Sequence, residues 1–172
     1  MTATRRELLL AAAPARLVGD AAVLEAAFGA ERAAEAAYAA ARTSGDRRVR
    51  ALAGRFAAHE RQHVAALSTA FQALGAPAPP APEGPAGLDA AVRDLGLPAF
   101  TGLRGGDDLL RFLVALEELL VGRWVRAHRD LGDANLTQTA TQVLGCQAQH
   151  LVALRDALGR PALASAVATP RG

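Results

Sequence analysis

Glu60-Arg61-Gln62-His63 returns 87 residues later as Gln147-Ala148-Gln149-His150, each with a histidine one helical turn after a Glu or Gln. The repeat reaches further. Glu31 is followed seven residues on by Tyr38, and Glu117, offset by 86, is followed seven residues on by Trp124. Four segments therefore carry matched polar signals in two copies. The copies differ at one telling place, where Glu60 in the first is replaced by Gln147 in the second.

The surrounding sequence predicts that all four segments are helices. Hydrophobic residues make up 51 %, mostly Ala and Leu, and aromatics only 4 %, a composition of strong helix formers with few β-branched runs. Asp20 reads as an N-cap for a helix over 21–44, stopped by Gly45. Asp46 opens a second helix that runs to Leu74 and stops at Gly75. Residues 76–87 are rich in Pro, Ala and Gly, and Leu88 to Leu95 suit a short helix within this connection. Gly105-Gly106 close the linker. Asp107 reads as the cap of a third helix ending at Leu131, and Asp133 as the cap of a fourth, from Ala134 to Leu158. The expected fold is all-α: a four-helix bundle of two antiparallel helix pairs joined by a long crossover. A chain of 172 residues suits one such domain.

Helical periodicity places the repeated polar residues inside the apolar stripes. Phe56, Glu60, His63, Leu67 and Phe71 share one face, as do Leu24, Phe28, Glu31, Glu35 and Tyr38. Glu117 is flanked by Leu113, Val114, Leu120 and Val121, and Trp124 and His128 continue its line. Glu118 is turned about 100° away and is the weaker candidate. Val143, Gln147, His150, Leu151 and Leu154 form the fourth stripe. Several carboxylates driven into one core repel one another unless positive charge lies between them. A divalent metal supplies that charge, and a mixture of Glu oxygen and His nitrogen suits iron or manganese and tolerates zinc.

On these residues the chain resembles bacterial ferritin-like domains, the broad group that includes bacterioferritin and rubrerythrin. That group's dimetal members draw one Glu from each of two helices and Glu-x-x-His from each of the other two. The resemblance covers residues 20–160. It implies Glu31 and Glu117 as terminal ligands, Glu60 as a bridge, and His63 and His150 as one nitrogen ligand for each metal. Tyr38 matches a tyrosine often found beside such sites, with Glu35 and Trp124 as further surrounding residues. Gln147 departs from the pattern, standing where a second bridging Glu is usual. With it, three carboxylates face two divalent ions and leave a charge of +1. The expected cofactor is iron (manganese or zinc as alternatives), as one or two ions. The activity implied is that of a ferroxidase-type oxidoreductase handling Fe(II) with oxygen or peroxide. The alternative is a non-catalytic bundle with a degenerate or single metal site, structural or stress-associated. Ferritin-like bundles often pair, so a homodimer is an expected assembly.

Other classes find little support. All 19 basic residues are Arg, against 17 acidic ones, with no basic patch interleaved with aromatics for nucleic acid. No apolar run approaches the ~20 residues needed to span a bilayer. Cys146 is the single cysteine, which excludes an intramolecular disulfide and a cysteine-type zinc site, one built from several thiolates. It reads as a small buried filler. His59 falls one step off the apolar stripe and reads as exposed, Glu25 as surface, and His128 as a satisfied core or end-layer histidine about 16 Å along the helix from Glu117. Tyr38 and Trp124 read as packing residues more than redox participants. Residues 1–19 read as a leader, with Thr4-Arg5-Arg6-Glu7-Leu8-Leu9-Leu10 as a degenerate twin-arginine-like segment. A cytoplasmic location is favoured over export through that segment. Residues 161–172 read as a loose tail.

Overall fold

Two aspartates set where the second and last long helices begin. Asp46 accepts hydrogen bonds from the Arg48 and Val49 N–H groups, and Asp133 does the same for Asn135 and Leu136, so each satisfies donors that a helix start leaves free. The computed structural model describes residues 5–161, with side chains from residue 19 onward. Its elements are α1 (Arg5–Ala41), α2 (Arg47–Ala73), α3 (Gly84–Asp94), α4 (Gly105–Asp130) and α5 (Ala134–Ala157), with a 3-10 turn at Phe100–Gly102. There is no strand among the described residues. None of the described helices is long and apolar enough to cross a membrane. Thr4, the side chains of the twin-arginine-like segment and the tail from residue 162 lie outside what is described.

The long helices form two hairpins. α1 packs on α2 and α4 packs on α5, and the hairpins meet through α1 against α4 and α2 against α5. Contacts at the ends fix their directions. Arg48, at the start of α2, bonds to Asp107 at the start of α4 and to the Ala157 carbonyl at the end of α5. α2 therefore runs parallel to α4 and antiparallel to α5. This explains the long crossover, because the chain must return the full length of α2, 27 residues or roughly 40 Å, before α4 can start. α3 occupies part of that return, burying Leu88 and Val92. A Cβ on Gly106 would lie 2.6 Å from the Asp46 Cβ, so glycine lets α4 begin against the α2 cap.

Several boundaries differ from the sequence reading, among them the start of α3, at Gly84 and not Leu88. α1 ends at Ala41, before Gly45. α4 begins at Gly105, whose φ of 76° suits glycine, so Asp107 lies in the first turn and pairs with Arg48 at 2.7 Å. A further difference changes a residue's role. Asp20 is not an N-cap, because α1 continues through it. Its buried carboxylate reaches the other hairpin and accepts from the Gly132 and Asp133 N–H groups at 2.8 and 3.0 Å. It thus ties the middle of α1 to the α4–α5 turn. Asp20→Ala leaves those two N–H groups unpaired and is expected to lower the unfolding free energy by about 1–3 kcal/mol. Denaturant titration of the two proteins checks this, and an unchanged midpoint and slope would show that the tie carries no stability.

Candidate metal centre

Of the seven polar or charged side chains buried among the described residues, six meet in one layer: Glu31, Glu60, His63, Glu117, Gln147 and His150. The seventh is Asp20. Five of the six sit near the middle of their helices, and Glu31 lies ten residues from the end of the longer α1. The layer is therefore roofed and floored by core residues such as Phe28, Phe71, Leu113 and Leu120. The helices come close because α1 offers small side chains at the interface, with Ala27, Ala30, Ala33, Ala34 and Ala37 all buried.

The donors fall into two groups. Glu31, Glu60 and His63 form one, and Glu60, Glu117 and His150 the other, with the ligand atoms of each group within 4.8 Å of one another. Glu60 belongs to both. Both histidines present Nδ1 to the carboxylates. His63 Nδ1 is 3.2 Å from Glu31 Oε2 and 3.6 Å from Glu60 Oε2. His150 Nδ1 bonds with Glu117 Oε1 at 3.2 Å and lies 3.3 Å from Glu60 Oε1, which is left without a hydrogen bond. Gln147 Nε2 donates to Glu31 Oε1 at 2.8 Å and to Glu60 Oε2 at 3.3 Å.

The aromatic residues do more than pack. Tyr38 OH donates to Glu117 Oε1, and Trp124 Nε1 donates to Glu31 Oε1, each at 2.5 Å. Each repeat copy thus supplies the donor that fixes the other copy's glutamate. Phe56 stacks on the His150 ring at a centroid distance of 4.0 Å, and Tyr38 meets Phe56 edge-on at 5.7 Å. Ring orientation is therefore set by packing as well as by hydrogen bonds.

Three other residues weighed from the sequence lie outside the layer, and the exposure of His128 corrects its reading as a core histidine. Glu35 is half-buried at the rim and faces Arg32 at 3.9 Å. Glu118 is exposed and pairs with Arg155. His128 is exposed and bonds with Thr141 Oγ1 at 3.1 Å. Two residues read as outside the site are beside it. His59 is half-buried and lies edge to edge with His150, the rings 14° from parallel and its Nδ1 2.9 Å from His150 Nε2. Cys146 is half-buried, its Sγ 3.5 Å from the same nitrogen. A signal for both exists in the sequence: positions 59 and 146 are offset by 87, as the histidines are, and each precedes its site histidine by four residues.

The protein groups by themselves hold protons in place of a metal. Burial and the nearby Glu60 charge push Glu31 up to about 8. Burial likewise raises Glu117 to about 7, against the opposing hydrogen bond from His150. Burial works to raise Glu60 too, but the His150 and His63 imidazoles outweigh it and hold Glu60 at about 2. Burial would lower both histidines, yet their carboxylate neighbours raise His63 to about 11 and His150 to about 9. The donor set fits a cation. Glu60 Oε1, Glu117 Oε2 and Gln147 Oε1 are buried oxygens without a hydrogen-bond partner, a costly arrangement that a metal would relieve.

This fold and this buried carboxylate–imidazole layer define a ferritin-like protein. The chain belongs to the ferritin-like domain family, whose profile matches residues 19–160. Among solved structures it is similar to a conserved hypothetical protein, rv2844, from Mycobacterium tuberculosis. The two share 21 % identity and a TM-score of 0.69, over 89 % of this chain and 98 % of that one. At that identity the likeness speaks for the fold alone. No protein of curated function matches the sequence.

A cation entering this layer competes with the protons on His63, His150 and Glu31. Raising the pH removes the competitor, so metal affinity is expected to climb from neutral pH upward and to level off only as Glu31, His150 and His63 lose their protons, at about 8, 9 and 11, with about two protons released per ion near pH 7. Calorimetric titration in buffers of different ionisation enthalpy measures that release, and a pH-independent affinity would show that the imidazoles are not displaced.

Proposed function

We propose that this layer holds one or two iron ions and that the protein handles Fe(II) with oxygen or peroxide, as a ferroxidase-type centre. The observation that carries this reading is Glu60, a buried carboxylate common to two groups of buried donors, each with its own histidine Nδ1. Bound Fe(II) supplies the electrons that reduce the oxidant. The chain's own residues do the positioning. Glu60 offers one oxygen to each group, and Tyr38 and Trp124 hold Glu117 and Glu31 in place. Phe56 against His150 and the apolar residues above and below the layer keep water out, which strengthens electrostatic contacts inside. His63, His150 and Glu31 give up their protons as the cation enters.

The decisive measurement starts from metal-stripped protein. Fe(II) is added anaerobically, its binding counted, and the sample then exposed to air or peroxide. At least one equivalent is expected to bind, followed by an absorbance rise from ferric iron. Glu60→Ala is expected to abolish both. Less than one equivalent bound by the natural chain, with no absorbance change, would sink the reading.

Gln147 favours a second reading, a non-catalytic bundle with a single or weak metal. It turns its NH2 group to Glu31 and Glu60 and so donates where a fourth carboxylate would accept and ligate. Gln147→Glu is expected to act in opposite directions in two assays. It removes two hydrogen bonds and adds repulsion, lowering the stability of the metal-stripped protein by about 1–3 kcal/mol. It also supplies the missing negative charge, raising affinity for the second ion by about tenfold or more. If neither melting nor metal stoichiometry changes, Gln147 does not decide how many ions bind.

A further inference from the structure

His150 faces two ways. Its Nδ1 looks into the carboxylate layer, and its Nε2 looks out toward α2 and α5, where His59 Nδ1 and Cys146 Sγ converge on it. The three outer donors are 2.9, 3.5 and 3.7 Å apart. Tetrahedral zinc, with bonds of about 2.0 Å to nitrogen and 2.3 Å to sulfur, spaces an N···N pair by about 3.3 Å and an N···S pair by about 3.5 Å. In distance the observed triangle needs a few tenths of an ångström of adjustment, and the two ring nitrogens, which face each other in nearly coplanar rings, also tilt toward the sulfur side. Its three donors come from different parts of the fold: His59 from α2, Cys146 and His150 one turn apart on α5.

We infer that His59 Nδ1, Cys146 Sγ and His150 Nε2 form a second, softer metal site, which adjoins the carboxylate layer and shares His150 with it, and which takes one thiophilic divalent ion of the zinc type. A thiolate with two imidazoles selects such an ion over the hard cations that carboxylates prefer. Three protein ligands leave the fourth position to water, and the half-buried His59 and Cys146 place that position on the solvent side. Binding releases the Cys146 thiol proton and the proton between His59 and His150 to solvent. The location also bears on Gln147. The second repeat copy lacks the bridging carboxylate at position 147, and its neighbour Cys146 brings an anionic ligand to the opposite edge of the same histidine. A hydrogen bond between His59 and His150 accounts for their approach alone; it gives no role to the sulfur.

The test uses the full chain, reduced and metal-stripped, titrated with Co(II) as a spectroscopic stand-in for Zn(II). A thiolate-to-cobalt charge-transfer band is expected, saturating at one equivalent and erased by zinc. Cys146→Ser is expected to abolish the band and His59→Ala to weaken zinc binding by about a hundredfold or more, beyond the loss seen for outer-shell partners. Absence of the band in the natural chain overturns the proposal. So does a band that His59→Ala leaves unchanged in intensity and affinity, which would mark a surface thiol acting alone. The band is expected to persist in Glu60→Ala. If the natural chain shows the band but does not oxidise Fe(II), the softer site stands and the iron reading falls.

Discussion

Glu31, Glu60 and Glu117 meet in a layer closed to solvent, where like charges repel more strongly than anywhere on the surface. The rest of the bundle is arranged around that repulsion. Two imidazoles bring positive charge to the carboxylates, and Glu31 and Glu117 are shifted toward their neutral forms. Gln147, Tyr38 and Trp124 spend their N–H or O–H donors on carboxylate oxygens. These answers work only if four helices keep one register, since a shift of a single residue turns a side chain by about 100° and carries it out of the layer. The aspartates at the helix ends hold that register. Asp46 and Asp133 fix where α2 and α5 start, and Asp20 locks α1 to the α4–α5 turn.

Much of this was legible in the sequence because it is local or periodic. The caps at Asp46 and Asp133 obey short-range rules, and the helix period alone placed Glu60, His63, Gln147 and His150 on inward faces. Asp20 followed the same local pattern and misled, because the helix continues on both sides of it and its carboxylate serves backbone N–H groups more than a hundred residues away. Glu35 lay on the predicted stripe but toward its edge, where Arg32 could hold it in partial contact with water. His59 and Cys146 were missed for the complementary reason. A one-helix wheel puts His59 beside the stripe, and only the approach of α2 to α5 turns that flank into an interface. The family match, over residues 19–160, spans all four of the repeated segments.

The softer triangle beside the layer gives His150 a different standing from His63. His63 has carboxylates on its inner nitrogen, whereas His150 is held at both ring nitrogens and on the Phe56 face. The pseudo-symmetric centre is therefore asymmetric in the contacts of its histidines as well as in charge: the half with Gln in place of a carboxylate at position 147 is the half whose histidine has more partners.

The crossed pairing of Tyr38 with Glu117 and of Trp124 with Glu31 has a consequence for the chain as a folding unit. Neither hairpin is chemically complete, because each keeps its acid and lends away the group that steadies it. A hairpin formed alone would expose an unsupported carboxylate on its apolar face, so the halves gain their polar partners only by docking. The crossover linker, which makes that docking intramolecular, raises the effective concentration of one half for the other. The centre is then a clasp: its crossed hydrogen bonds exist only when the two hairpins are docked.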